Sequence, residues 1–543
     1  MNVKTNPPPS WRVQQYRDGD DVQVLSVEPE DKQIKQDKVV LRSLPAHLDE
    51  ETQTSQELFE EVLYSDKALP REYRASVKPL SAVEALKDPQ QAWPGSEVRT
   101  LVNQGPLNNR INLTIVGDGY TVEEKERFFE DAKRITDDMF QGQTFASYLP
   151  LFNVHAVFVP SNESGLSDGD QKDTALKLYR SPEGSKRAIM PGDRRACERA
   201  IALAPATDYP ILIANDNYYG GLGGRYAITT RSPESGTMVL RHELGHNFGN
   251  VGEEYDGGQV YWGANHSSTP DVPWKHWLTG DLKPEHGKAL VGDYPWQNLA
   301  EGPVSYRFNV PENPENKPSR LDVHISAVGW DTPEDVEILL DGKPLPYAGL
   351  HTDDRSFFKP VEPPTLEPGR HTITFQEKVF DGDNVLGSLR VNLYDADYDF
   401  TPGKVGAFPS FDYTERMAGY RPTHGDCLMR DMRSTEFCPV DRENMWHKFM
   451  SRINLVDGVD VSTNSDGRQE VSVRTPPLEG VGVRWFQVDE EGNEQELLQY
   501  ANQRKFQPEQ GGKYRVKVEF RTPEVRVYNS DFDGQMDFRV CPA

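Results

Sequence analysis

The sequence predicts an α/β (α+β) domain built around one helix, with additional all-β domains of β-sandwich type. Three observations predict it. Between residues 110 and 230, apolar strand-like runs alternate with amphipathic helical segments, the order that builds a sheet covered by helices. Residues 242–246 read His-Glu-Leu-Gly-His after the apolar run Thr237-Met238-Val239-Leu240. From residue 303 to 400, and again toward the C-terminus, short strands are separated by turn pairs such as Asp341-Gly342, the spacing of a β-sandwich.

In chain order, residues 1–94 are polar with strand-like pieces at 22–27 and 39–44 and a helical piece near 55–63, read as a β-rich accessory region. Residues 95–302 form the first part of the catalytic domain. Arg110–Val116 reads as a buried strand, and Thr121-Val122-Glu123-Glu124 as a capping box opening a helix to about Phe140. Strands are expected at Phe152–Val159, Tyr209–Ala214 and Gly224–Thr230, and a helix at Asp193–Leu203. Strand Tyr226–Thr230 is expected to be the edge offered to an extended substrate. Ser232-Pro233 reads as the start of the metal-site helix. Residues 303–400 are an inserted β-sandwich, 401–455 the second part of the catalytic domain with a closing helix at Arg442–Ile453, and 456–543 a C-terminal β-sandwich.

The chemistry centres on residues 242–246. Four residues apart on a helix, His242 and His246 stack on one face and can share a zinc ion, and Glu243 can hold the metal-bound water. Gly249 suits the turn that brings a third ligand back. Carboxylates at Glu253 and Glu254 lie where that ligand is needed.

These residues carry a resemblance. His-Glu-x-Gly-His followed by a short turn and Glu254-Tyr255 is similar to the M64 family of IgA-peptidase-type zinc metallopeptidases. Ile115-Val116-Gly117-Asp118-Gly119-Tyr120-Thr121, Asn215-Asp216 with Tyr219–Gly224, Pro273–Leu278, Tyr420-Arg421-Pro422 and Cys427-Leu428-Met429 resemble further blocks of that family, from about Val98 to Arg452. The resemblance implies a metzincin-like fold and hydrolysis of peptide bonds by zinc-activated water, with Glu243 as general base. Metzincin-like enzymes place their last ligand where this chain has Gly252, so the ligand is expected at Glu254, with Glu253 as the alternative. Met429 resembles the methionine turn beneath the zinc. Tyr255 and Tyr420 are candidate oxyanion donors, and Cys427 and Cys438 a candidate disulfide stapling the Met429 loop. His266, His276 and His424 are weaker metal candidates. The resemblance also implies a secreted enzyme acting on extracellular or host glycoproteins such as immunoglobulins.

Composition bounds the partners. The 60 basic and 86 acidic residues leave a net charge of −26, which argues against nucleic acid and anionic membrane surfaces. No apolar run is long enough to span a bilayer, and residues 1–9 lack the apolar core of a signal peptide. Calcium is suggested only weakly, by Asp168-Gly169-Asp170, by Asp395, Asp397 and Asp399, and by Asp531 and Asp533; none completes a calcium loop. Of the sequons at Asn112, Asn162 and Asn265, the first sits in an expected strand. The contrasting reading is a catalytically silent adhesin, or a carbohydrate- or protein-binding module, that keeps the fold. Intact His242, Glu243 and His246 speak against it.

Overall fold

The computed structural model describes residues 10–18, 21–30, 36–45, 47–48, 57–65, 67–70, 73, 93–141, 144–181, 187–257, 261–312, 320–463 and 468–541. It is a mixed α/β structure, rich in sheet and with few helices among the described residues. A seven-stranded sheet lies at its centre. Its order is His47–Leu48, Gly221–Gly224, Ala227–Thr230, Tyr209–Ala214, Ile111–Asp118, Phe152–Phe158, Glu97–Val102. The strands from Ala227–Thr230 to Phe152–Phe158 run parallel. Parallel strands are covered on both faces, which is why these segments read as unbroken apolar runs and are buried throughout.

Helix α1 (Lys125–Met139) opens behind the Thr121 capping box, with the Thr121 amide donating to Glu124 Oε2 at 3.0 Å. Its Phe128, Ala132, Ile135 and Met139 share one core with Leu113 and Ile115 of the sheet. Helix α2 (Arg194–Ile201), capped by the Asp193 carboxylate, covers the opposite face with Ala196, Cys197 and Ala200 against Leu212 and Ala214. At the end of strand Ile111–Asp118, the buried Asp118 carboxylate accepts from the amides of Leu176 and Leu178, both at 2.8 Å, and pins that loop.

The edge of the sheet differs from expectation. The strand expected at Gly224–Thr230 is shorter, Ala227–Thr230, because Gly224 ends the preceding antiparallel strand, and it is interior, flanked on both sides. The strand beyond it, Gly221–Gly224, is paired in turn, Gly223 with Leu48 and Gly224 with His47, while Gly221 bridges to Ala188. The helical piece expected near 55–63 is a strand, Glu57–Ser65, inside a four-stranded antiparallel sheet. Its glutamates mimic a helix surface. They are instead held by cations from elsewhere, Glu60 by Arg17 and Glu61 by Arg12 and Arg452, and such tertiary pairing overrides local preference.

The described residues between 287 and 394 form two further sheets over one shared core that includes Val323, Trp330, Ile338, Phe358 and Phe375. They begin ahead of the expected 303, because Gly287–Asp293 pairs with Val385–Tyr394. Asp354 ties them to helix α3 (Gly236–Gly249), accepting from Ser232 Oγ at 2.6 Å and Ser235 Oγ at 2.7 Å just before its first turn. The C-terminal sheets are fused to the catalytic core rather than hung from it. Trp446 on helix α4 (Pro439–Met450) packs 5.0 Å from Phe520 and donates Nε1 to Glu524 Oε2 at 2.7 Å. Core residues of both regions form one continuous cluster.

Truncating a fully buried aromatic costs about 3–5 kcal/mol. Trp446→Ala should therefore lower the melting temperature of the core and the C-terminal sheets together. Calorimetry that resolves a separate, unshifted C-terminal transition would contradict a shared core.

Candidate metal centre

Helix α3 starts at Gly236, later than Ser232-Pro233 suggests, since Ser232 forms a turn whose hydroxyl accepts from the Ser235 amide at 3.0 Å. The helix runs through Gly249, and the left-handed residue is Asn250 (φ +51°), not Gly249. Asn and Gly tolerate this conformation better than other residues. The chain then reverses, and Glu253 comes back over the helix.

His242 and His246 stand one turn apart with ring centroids 4.9 Å apart, both buried. Each turns Nδ1 to a backbone carbonyl, His242 to Leu428 O at 3.3 Å and His246 to Val251 O at 2.8 Å. With Nδ1–H donating, the Nε2 lone pairs face one point, the arrangement that orients metal-binding imidazoles. Glu253 occupies that point from the other side, Oε1 3.0 Å from His246 Nε2 and Oε2 3.2 Å from His242 Nε2. Burial alone would lower both histidines, but the Glu253 carboxylate raises them, His246 to about 9. Burial would likewise raise Glu253, yet the two imidazoles pull it down to about 2. A carboxylate oxygen this close to two imidazole nitrogens requires positive charge between them. Three converging N and O donors on one side fit a divalent cation with an open position toward the cleft.

Glu243 is half-buried and lines that cleft beside His242, Glu253 and Tyr255. The Tyr255 ring lies 6.3 Å from that of His242. Met429 is buried beneath the helix, and a Cβ on Gly245 would lie 2.6 Å from its sulfur and 2.7 Å from Phe437, so only glycine fits between the two histidines.

Several expected site residues lie elsewhere. Glu254 turns away from the histidines: its carboxylate accepts from Asn265 Nδ2 at 3.1 Å and groups with Cys427, Cys438 and Asp441. Burial, and then Asp441, push it well above the ordinary carboxylate range. Cys427 and Cys438 are free thiols, not a disulfide. Tyr420 sits in the hairpin of Phe408–Phe411 with Met417–Arg421, paired to Ser267 and outside the cleft lining. His276 pairs with Glu443, and His424 accepts from or donates to Tyr398 in an aromatic cluster where burial drops it to about 3. His266 packs against Tyr261, and burial lowers it. None of the three aspartate runs converges on one point among the described residues; Asp397 and Asp399 pair with Lys283 and Lys404, and Asp533 with Arg521. Among the sequons, Asn112 and Asn265 are buried.

Two functional-looking residues escape sequence reasoning. Asp256, right after Tyr255, is buried and accepts from Arg430 at 2.7 Å, Asn392 at 2.7 Å and the Phe411 amide at 3.1 Å. Its position just past the Glu-Glu-Tyr run was the available signal. Arg390 projects from the inserted sheets into the cleft, buried, with Nε and Nη1 lacking hydrogen bonds and the guanidinium 5.9 Å from the Tyr255 ring centroid. No local pattern announces it. Arg187, Arg355 and Arg430 also line the cleft, a cationic wall in an acidic chain.

Burial would raise the Asp256 carboxyl, but Arg430, then Arg421 and Arg390, hold it down at about 2. Against an unfolded value near 3.9, its stabilisation is complete above about pH 4 and is lost as pH falls through about 2. Asp256→Asn strands two buried guanidinium groups and should cost about 3–5 kcal/mol at neutral pH, shrinking in acid. Urea unfolding at pH 7 and pH 3 measures both; an equal cost at both would refute the clamp.

Residues 100–301 match the profile of the family described as IgA Peptidase M64. No curated protein matches the chain. Among solved structures, a cycloisomaltooligosaccharide glucanotransferase of Paenibacillus sp. complexed with cycloisomaltoheptaose is 12% identical, over 64% of this chain and 53% of its own, with a TM-score of 0.12. A β-D-glucuronidase for Dictyoglomus thermophilum is 9% identical, over 49% and 45%, at 0.11. The chain thus spans about half the length of these structures, and superposition this poor carries no argument about fold or activity.

Proposed function

We propose that this chain, which belongs to the M64 peptidase family through residues 100–301, is a zinc-dependent endopeptidase acting on extracellular or host proteins and glycoproteins, immunoglobulins among them. The single observation that carries the reading is the convergence of His242, His246 and Glu253 beside Glu243 in an open cleft. It supports Glu253, rather than Glu254, as the third ligand.

His242, His246 and Glu253 would hold the zinc ion, which when bound would supply Lewis acidity for water activation and carbonyl polarisation. The remaining work belongs to the chain. Leu428 O and Val251 O fix the imidazole tautomers. Glu243 takes a proton from the attacking water and returns it to the leaving amine nitrogen, as a general base and then acid. Tyr255 lies on the same wall as Glu243 and is the better placed of the two candidate tyrosines to donate to developing oxyanion charge. Arg390, whose Nε and Nη1 make no hydrogen bond, offers a buried guanidinium to a carboxylate or backbone carbonyl of the substrate.

Glu243→Gln should retain the metal and lose about 10²–10⁴-fold in kcat on a peptide library or a denatured protein, with zinc content assayed in parallel. Undiminished cleavage would dismiss Glu243 as the base. Zinc binding without cleavage by wild type would favour the silent binding module. Arg390→Gln should raise KM more than it lowers kcat; an unchanged KM would remove Arg390 from substrate binding.

A further inference from the structure

Behind the His242–His246–Glu253 cluster lies a second group of ligand-type side chains that the peptidase reading does not use. Glu254, Cys427, Cys438 and Asp441 each offer one ligand atom, and these atoms lie within 4.8 Å of one another. All four side chains are fully or almost fully buried, and none lines the cleft. They come from three segments: the turn after α3, the loop carrying Met429, and the first turn of α4, where Cys438 is the N-cap. Cys438-Pro439-Val440-Asp441 has the two-residue gap of a metal knuckle, with aspartate in the second position.

The contacts within the group are those of ligands waiting for a cation. Cys427 Sγ lies 3.1 Å from Asp441 Oδ2. The Cys438 amide donates to Cys427 Sγ at 3.3 Å, and the Asp441 amide to Cys438 Sγ at 3.5 Å. Backbone N–H groups aimed at sulfur stabilise a thiolate, but burial pushes both thiols up, Cys438 to about 12, so it is the geometry of the four groups that points to a cation. Asn265 holds Glu254 Oε1, while Glu254 Oε2 and Asp441 Oδ1, both fully buried, meet no N–H or hydroxyl donor, and the two carboxyls lie against each other. A buried carboxylate oxygen without a donor is costly, and two carboxyls facing one another need either a shared proton or a cation between them.

We propose that Glu254, Cys427, Cys438 and Asp441 hold a second metal ion, a structural zinc, in a closed four-ligand site separate from the cleft. Two sulfurs and two carboxylate oxygens suit a tetrahedral cation that accepts thiolate, which selects zinc over calcium or magnesium. Binding displaces the thiol protons and any proton shared by the carboxyls. The ion would lock the turn after α3 to the Met429 loop and to α4, a junction the Glu254 amide already makes with Met429 O at 3.0 Å. Glu253, one residue away, would owe its position to it. The inference rests on the buried group itself and not on the peptidase reading.

Zinc content of the full chain tests it, together with the absorption spectrum after cobalt substitution. Wild type should carry two zinc ions per chain, and His246→Ala and Cys438→Ser one each. Cobalt-substituted wild type and His246→Ala should show a near-ultraviolet thiolate-to-cobalt charge-transfer band, which imidazole and carboxylate ligands alone do not produce. The wild-type band needs no variant to fold. If the histidine cluster is not a metal site, wild type holds one zinc, His246→Ala keeps it, and the thiolate band persists. The proposal is overturned by one zinc in wild type that His246→Ala abolishes, with no thiolate band, whether peptide mapping then finds Cys427 and Cys438 disulfide-linked or as free thiols.

Discussion

Two buried imidazole nitrogens, each within hydrogen-bond length of one buried carboxylate, set the terms for everything around them. Such a cluster persists in a dry interior only if each member is oriented and the whole is compensated. The orienting groups are carbonyls at Val251 and Leu428, one on the turn after α3 and one on the Met429 loop. Those two segments are in turn held together by Arg430, which bonds Asp256, and by the contact of Met429 with the helix at Gly245. The sheet places α3, and the turn and loop place the groups that face it.

How much of this can be read from the residues depends on distance along the chain. His242, Glu243 and His246 are legible because an i, i+4 spacing on a helix decides their geometry locally. The third donor is not. Choosing between Glu253 and Glu254 depends on where the chain leaves the helix, and reading Gly249 as the left-handed residue is off by one: Asn250 takes that role. A one-residue change in the turn swaps which carboxylate faces the histidines. The strand Glu57–Ser65 was hidden for a different reason, since its glutamates find their arginines far away, one of them more than 390 residues on. Arg390 is likewise invisible locally, because strand pairing across the inserted sheets delivers it to the cleft.

The closing helix does more than end the catalytic region. Glu443 on α4 accepts from the amides of Arg526 and Val527 and from Trp277 Nε1, so one carboxylate joins the C-terminal sheets, α4 and the loop before the inserted sheets. Together with Trp446 it makes the C-terminal region part of the same core. The regions that look separable by composition are mechanically coupled at α4, whose first turn also carries Cys438 and Asp441.

The strand Gly221–Gly224 borders the cleft and would be the natural rail for an extended peptide, yet its outer positions already pair with His47 and Leu48. An incoming backbone therefore faces a tethered rival whose effective concentration is set by chain connectivity and not by anything in solution. Two ladder positions make a weak rival. If this strand takes an extended peptide, occupancy would have a threshold: short or loosely held peptides would lose the competition, and longer ones gaining contacts elsewhere in the cleft would displace the chain's own residues.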